Sequence, residues 1–214
     1  KILVVVPTYN EAKTLPLLLE QVMALEISGL ELLVVDDNSP DGTAKVVEDA
    51  GAAYKNRVHV LRRARKEGLG PAYVAGFKEA LRLGADVVVQ MDADLSHPPQ
   101  SIPTMLEGIK VADVVVGSRH APGGGVTGDW GLSRRLLSRW GDLYVRWVLG
   151  LRIRDTKSGF KAFRRAVLED LPLEALHSKG FIFQAEVVYV CQKMGFDITE
   201  VPYIFLDRQE GQSK

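Results

Sequence analysis

Residues 1–11 read KILVVVPTYNE, an unbroken apolar run that meets a proline and then turns polar. A strand with one wet face alternates apolar and polar side chains, whereas a run without alternation is buried on both faces, as in a parallel sheet. The same texture returns in LELLVVDD (30–37), RVHVLRR (57–63), DVVVQMD (86–92) and DVVVGSR (113–119). Between these runs lie TLPLLLEQVMAL (14–25), DGTAKVVEDAGA (41–52), GPAYVAGFKEALRLG (70–84) and QSIPTMLEGIK (100–110), whose apolar residues recur at helical spacing. Strands that alternate with helices predict an α/β fold: an open, mostly parallel sheet, helices on both faces, and right-handed crossovers.

From Ala121 the texture changes. APGGGVTGDWG (121–131) is glycine-rich and predicts a mobile loop. LSRRLLSRWGDLYVRWVLGL (132–151) follows with one apolar stripe of Leu136, Leu137, Trp140, Leu143, Tyr144, Trp147 and Val148. Arg135, Arg139, Asp142 and Arg146 occupy its other face. Such a helix either packs its stripe on the sheet or lies at a membrane surface. AFRRAVLEDL (162–171) and FQAEVVYVCQKMG (183–195) read as helices, and ITEVPYIFLDR (198–208) as a last strand. The expectation is one domain over 1–214, with an α/β part (1–120) and a C-terminal elaboration (121–214) covering the ligand edge.

Composition narrows the class. With 46% apolar and 25% charged side chains over 214 residues, the chain can bury a proper core. Its 27 basic and 27 acidic residues cancel, so no overall field draws it to nucleic acid, and any anion must be caught locally. The sole cysteine, Cys191, excludes an internal disulfide, suits a reducing compartment, and is expected to be packing. No stretch approaches the roughly 20 apolar residues of a membrane span, and no signal peptide is apparent.

In an open α/β sheet, ligands bind beyond the carboxyl ends of the strands. Four polar clusters fall there: PTYNE (7–11), DDNSPDGT (36–43), DADLSHPP (92–99) and Ser118–Arg119. Asp92 and Asp94, at i and i+2 on extended backbone, point the same way and offer hard oxygen ligands for Mg²⁺ or Mn²⁺ shared with phosphates. The alternative is that they cap a turn and the next helix. Of Asp36 and Asp37, at least one is structural, and Asp37 could accept hydrogen bonds from a ribose or base, with Pro7, Tyr9 and Glu11 as the other wall. Glu11 is equally a first-turn helix acid. KEGLGPA (66–72) follows the wrong strand and lacks the third glycine of a dinucleotide fingerprint, and no phosphate-binding GKS/T occurs. Arg119, Arg134, Arg208 and Lys214 lie in or beside loops; each alone reads as a solvated surface charge, and together, beside a metal-diphosphate site, as phosphate contacts. The four histidines fit no zinc pattern, and His97 reads as a turn residue.

Taken together, VVVPTYNE, VVDDNSPDGT, MDADLSHPP, GSR, DTKSGFKAFRR and VPYIFLDRQEGQSK resemble the family 2 glycosyltransferases, more narrowly those that mannosylate dolichyl or polyprenol phosphate. The resemblance runs from Ile2 to Lys214. It implies a GT-A-like, nucleotide-sugar-binding fold, GDP-mannose as donor, dolichyl or polyprenyl phosphate as acceptor, and Mg²⁺ or Mn²⁺. Carried over, it implies that Pro7, Tyr9, Glu11, Val35 and Asp37 hold the nucleoside, and that Asp92, Ala93 and Asp94 hold metal and diphosphate. Arg119, Arg208 and Lys214 would then meet the phosphates, Ser133 and Arg134 the acceptor phosphate, and Asp94 and Arg119 would be the catalytic pair. The implied workplace is the cytoplasmic face of a membrane, reached peripherally or through an anchoring subunit or a C-terminal segment. Competing readings are a glucosyltransferase on dolichyl phosphate or another family 2 transferase, a nucleotidyltransferase, and a non-catalytic nucleotide-sugar-binding module.

Overall fold

The computed structural model describes residues 1–54, 56–127, 132–178 and 180–206, with residues 132–139 described as backbone. Strand β1 (Ile2–Thr8) is flanked by β2 (Leu30–Asp36) and β4 (Val87–Gln90), both parallel to it, and β3 (Val58–Arg62) extends the sheet beyond β2. On the other side come β7 (Lys161–Arg164), β5 (Val114–Ser118) and β8 (Ile198–Pro202). The order is β3-β2-β1-β4-β7-β5-β8, and β7 alone runs antiparallel to its neighbours. The open, mostly parallel α/β sheet read from the sequence is therefore present.

Period-two alternation explains why both faces are apolar. Leu3, Val5, Leu33 and Val35 enter one core with α3 (Leu69–Arg82), α6 (Arg165–Asp170) and α7 (Ile182–Lys193). Val4, Val6, Leu32 and Val34 enter the other with α1 (Leu15–Met23), α2 (Thr43–Gly51) and α4 (Ile102–Ile109). Cys191 is wholly buried in the first core, as expected of a packing residue, and burial pushes its thiol up to about 12.

Two segments differ from expectation, and a third decides a choice the sequence left open. AFRRAVLEDL is not one helix: Lys161–Arg164 is β7, and only Arg165–Asp170 is helical. Its backbone groups pair with β4 and β5, and Ala162 and Phe163 fill opposite cores, so tertiary pairing overrides the helical pattern. In the glycine-rich stretch, Gly125–Val126 forms β6, which pairs in parallel with β9 (Ile204–Phe205), while 128–131 lie outside the described residues. Helix α5 (Leu132–Leu149) is turned inside out relative to a stripe packed on the sheet. Asp142, Val145, Arg146 and Leu149 face inward, while Trp140, Leu143, Tyr144, Trp147 and Val148 are 51–81% exposed.

Helix α3 lies so close to the sheet that a Cβ at Gly76 would come within 2.4 Å of Val5 Cγ1 and 3.0 Å of Val35 Cγ2. Both valines belong to central strands that cannot retreat. Gly76→Ala is expected to destabilise the protein by about 1–3 kcal/mol through overpacking, despite alanine's better helix propensity. A urea denaturation series measures it, and an equal or higher midpoint would refute this account of the α3 approach.

Candidate functional site

The carboxyl edge gathers the polar loops. After β1, Asn10 N and Ala12 N donate to Ser39 Oγ (3.0 Å) and Asp41 Oδ2 (3.1 Å), which ties the β1–α1 loop to the β2–α2 loop. Asp41 also accepts from Thr43 N at the start of α2. Asp36 is the structural member of its pair: it accepts from Thr8 Oγ1 (3.0 Å), Ser39 N (3.0 Å) and Ser39 Oγ (2.5 Å). Asp37 is held differently, with Arg63 Nη1 at 2.5 Å from one oxygen and Glu67 N at 3.3 Å from the other. Burial raises the Asp37 carboxyl above its usual range, and Arg63 opposes that rise. Arg63 also reaches Glu67 at 2.6 Å, so it bridges β2 to the loop before α3.

Tyr9 lies under Lys66, whose Nζ is 4.1 Å from the ring centre. Glu11 Oε2 accepts from Thr14 Oγ1 at 2.9 Å, but α1 begins at Leu15, so Glu11 lies ahead of the helix and is not the first-turn acid of the alternative reading. Pro7 is partly buried at the end of β1. Val35 is wholly buried beneath Gly76, so its side chain offers a ligand no surface.

After β4 the chain turns sharply. Leu95 takes φ +61°, a region costly for a branched side chain and characteristic of functional loops. Asp94 Oδ1 accepts from Ser96 N (3.1 Å) and Ser96 Oγ (2.5 Å), so it closes a turn and caps no helix. Asp92 Oδ1 accepts from Tyr73 OH at 2.7 Å, and Ala93 between the two acids is buried. His97 is more than a turn residue: it is 2% exposed, stacked on Phe160 (5.1 Å, 10°), and its Nδ1 accepts from Asp92 N at 3.1 Å. Burial lowers its pKa, so the ring is neutral and carries its proton on Nε2.

Because β7 is antiparallel, its entry end lies at the same rim as the exits of β4 and β5, and it brings residues 155–160 there. Asp155, wholly buried, accepts from Arg119 Nε (2.7 Å), Nη2 (2.7 Å) and main-chain N (2.9 Å). Burial alone would lower the Arg119 pKa, but the hydrogen bonds and charge of Asp155 overcome it and hold the guanidinium above its usual range. Burial likewise works to raise Asp155, and Arg119 overcomes it, leaving the carboxyl below its usual range. Neither side-chain bond uses Arg119 Nη1. His120, Asp142 and Asp155 offer ligand atoms within 4.8 Å of one another. Arg119 already neutralises Asp155, and Lys157 stands 3.5 Å from Asp142, so that group is supplied with cations from the chain itself.

Sequence reading named the rim acids that follow β1, β2 and β4 and missed their holders. Arg63, Tyr73, His97 as a buried residue, Asp155 and Gly159 each carry a contact that no local pattern announces. DTKSGF (155–160) did offer a signal, a polar run before an apolar strand. Ser133 and Arg134 lie on α5 where only backbone is described, and Arg208 and Lys214 lie outside the described residues.

An open sheet with helices on both faces, and a carboxyl edge crowded with acids and two partly buried arginines, defines a ligand-binding α/β protein of the doubly wound class. The chain belongs to glycosyl transferase family 2, whose family model matches residues 3–172. It is 44% identical over its whole length to an undecaprenyl-phosphate mannosyltransferase of Micrococcus luteus, covering 87% of that protein. It is 43% identical over 99% of its length to a polyprenol monophosphomannose synthase of Mycolicibacterium smegmatis, covering 80% of it. Among solved structures, glucosyl-3-phosphoglycerate synthase of Mycobacterium tuberculosis with Mn²⁺, UDP and product superposes with a TM-score of 0.71 at 22% identity, over all of this chain and 73% of that one. That likeness establishes the fold.

Beneath the rim, Lys161 is fully buried and donates to Ser158 O and to Gln184 Oε1 (2.6 Å), which also accepts from Gln90 Nε2 (2.5 Å). Burial lowers its pKa to about 7. A lysine with a lowered folded pKa binds fewer protons folded than unfolded, so stability rises with pH between about 7 and the usual lysine value near 10.4. In metal-free buffer, the denaturation midpoint is expected to climb from pH 7 to 9.5, and Lys161→Met is expected to flatten that climb. An identical slope in both proteins would contradict the assignment.

Proposed function

We propose that the protein is an inverting glycosyltransferase that moves mannose from GDP-mannose to a dolichyl or polyprenyl phosphate. The observation that carries the chemistry is an imbalance at the rim. Asp37, Asp142 and Asp155 each have a basic side chain beside them, whereas no Arg or Lys ion pair reaches Asp92 among the described residues. Among the described residues, Asp92 hydrogen-bonds with the neutral Tyr73 and His97, and the buried Lys161 acts on it through its field without forming an ion pair. A partly exposed acid at a ligand edge, two residues from a second acid and without an Arg or Lys ion pair among the described residues, fits Mg²⁺ or Mn²⁺ through hard oxygen ligands. When bound by Asp92 and Asp94, the ion would neutralise charge on the leaving diphosphate. The full-length similarity to two mannosyltransferases of polyprenyl phosphates supports the donor sugar and acceptor class.

In this reading an oxygen of the acceptor phosphate attacks C1 of the mannose, the bond from C1 to the β-phosphate oxygen breaks, and GDP leaves, giving a β-mannosyl phosphodiester. The acceptor is already anionic at neutral pH and needs no general base. The chain's own task is to bring two anions together. Arg119, oriented by Asp155, would meet one of them, and Arg134, Arg208 and Lys214 would join it. Pro7, Tyr9, Glu11, the main chain at Val35, and Asp37 would line the nucleoside pocket, with Ser133 beside the acceptor phosphate.

The acceptor's chain must stay in lipid. No helix among the described residues is long and apolar enough to cross a membrane. The outward face of α5, with Phe181 (60% exposed) and Ile182 (70% exposed) at the start of α7, supplies aromatic and aliphatic contacts for the surface of the cytoplasmic leaflet.

Asp94→Ala is expected to abolish transfer of radiolabelled mannose to polyprenyl phosphate while the melting temperature stays within a few degrees. A thermal-shift panel of GDP, UDP and CDP sugars with Mn²⁺ is expected to respond to GDP-mannose, and a response confined to UDP-glucose would replace the donor. In liposome flotation, the protein should rise with anionic vesicles, and Trp147→Glu should sink it. Flotation unaffected by the substitution would remove α5 from the lipid contact.

A further inference from the structure

Asp92 is held from three sides by residues with no place in the nucleotide or phosphate chemistry. Tyr73 OH donates to Oδ1 at 2.7 Å, and Asp92 N donates to His97 Nδ1 at 3.1 Å. The third side is Gly159, where a Cβ would stand 2.9 and 3.2 Å from the two carboxylate oxygens and 3.1 Å from His97 Cε1. The carboxylate thus sits against bare backbone. Tyr73 itself is immobile: fully buried on α3, its ring lies between Phe77 (centroids 5.9 Å apart) and Phe183 of α7 (6.0 Å, 3° from parallel). The approach of α3 to the segment before α7 is close, since a Cβ at Gly70 would meet Ser178 O at 2.7 Å and Phe183 at 2.9 Å. The hydroxyl is therefore carried on a stacked aromatic column anchored in the first core, and it ends on a carboxylate that remains 27% exposed.

We propose that Tyr73 is a positioning residue for the divalent cation: its hydroxyl, fixed by the Phe77–Phe183 stack, anchors one oxygen of Asp92, and the glycine at 159 leaves the carboxylate room to hold that orientation. The inference rests on the reading that Asp92 and Asp94 bind the ion. Partners that orient a ligand without touching the metal commonly contribute 10–100-fold to affinity. A tyrosine needed only for packing would be replaced by phenylalanine without consequence, because the stack survives and only the hydroxyl is lost.

The test is Mn²⁺ binding in the presence of GDP, read from the electron paramagnetic resonance signal of free Mn²⁺, on the parent protein, Tyr73→Phe and Asp92→Asn. Tyr73→Phe is expected to bind Mn²⁺ about 10-fold or more weakly, with melting temperature and metal-free GDP binding kept. Its transferase activity should need correspondingly more Mn²⁺ and recover kcat near the parent value when saturated. Gly159→Ala, which pushes on the carboxylate from the opposite side, should shift Mn²⁺ affinity in the same direction. Unchanged Mn²⁺ affinity in Tyr73→Phe overturns the proposal, as does a drop in melting temperature with equal losses of Mn²⁺ and GDP binding. If the parent itself shows no Mn²⁺ binding that Asp92→Asn removes, the metal reading fails first and takes this inference with it.

Discussion

One reversed strand governs what stands at the ligand edge. Were β7 parallel, its polar lead-in would lie at the opposite end of the sheet, far from the exits of β4 and β5. Because it runs against them, Asp155 arrives beside Arg119 and Gly159 beside Asp92. The arginine is thereby fixed by three hydrogen bonds inside a low-dielectric rim, where a charge without a partner would be costly. The locked orientation of Arg119 and the room for the Asp92 carboxylate both descend from that inserted strand.

The rim's acids divide by what answers their charge. Asp36 is satisfied by hydroxyls and a main-chain N–H, Asp37 and Asp155 by arginines, and Asp142 by His120, Thr156 and a nearby lysine. Carboxylates neutralised in place build the pocket's walls and keep their neighbours oriented. Asp92, whose carboxylate accepts from the neutral Tyr73 hydroxyl and has no Arg or Lys ion pair among the described residues, is the one suited to recruit a cation from outside. This division, more than the count of acids, separates scaffold from chemistry.

The sheet was legible because its information is local. An apolar run such as ILVVV buries itself on two faces, and the glycines, prolines and aspartates that end each run mark the loops. The reversed strand was not legible, since AFRR carries a helix-compatible pattern and its pairing partners lie more than forty residues away on either strand. The acids of the rim could be read from their place after strands. Arg63, Tyr73, His97 and Asp155 could not, because each acts through a contact made by the fold across distant segments: Tyr73 and Asp92 come from different elements, as do Arg119 and Asp155. The orientation of α5 was an open choice in the sequence, since periodicity gives a stripe but not the side it turns to.

That orientation fixes a length scale. On α5 the inward Asp142 joins Thr156 and His120 at the rim, and the outward Trp147 lies on the far side of the same helix. The two are separated by roughly one helix diameter, about 10–12 Å. If the proposed lipid contact of α5 holds, an amphiphile whose tail remains dissolved in hydrocarbon would lift only its head across the thickness of one helix to reach the rim. A solvent-filled tunnel for the tail would be unnecessary, and tail length would matter little to turnover.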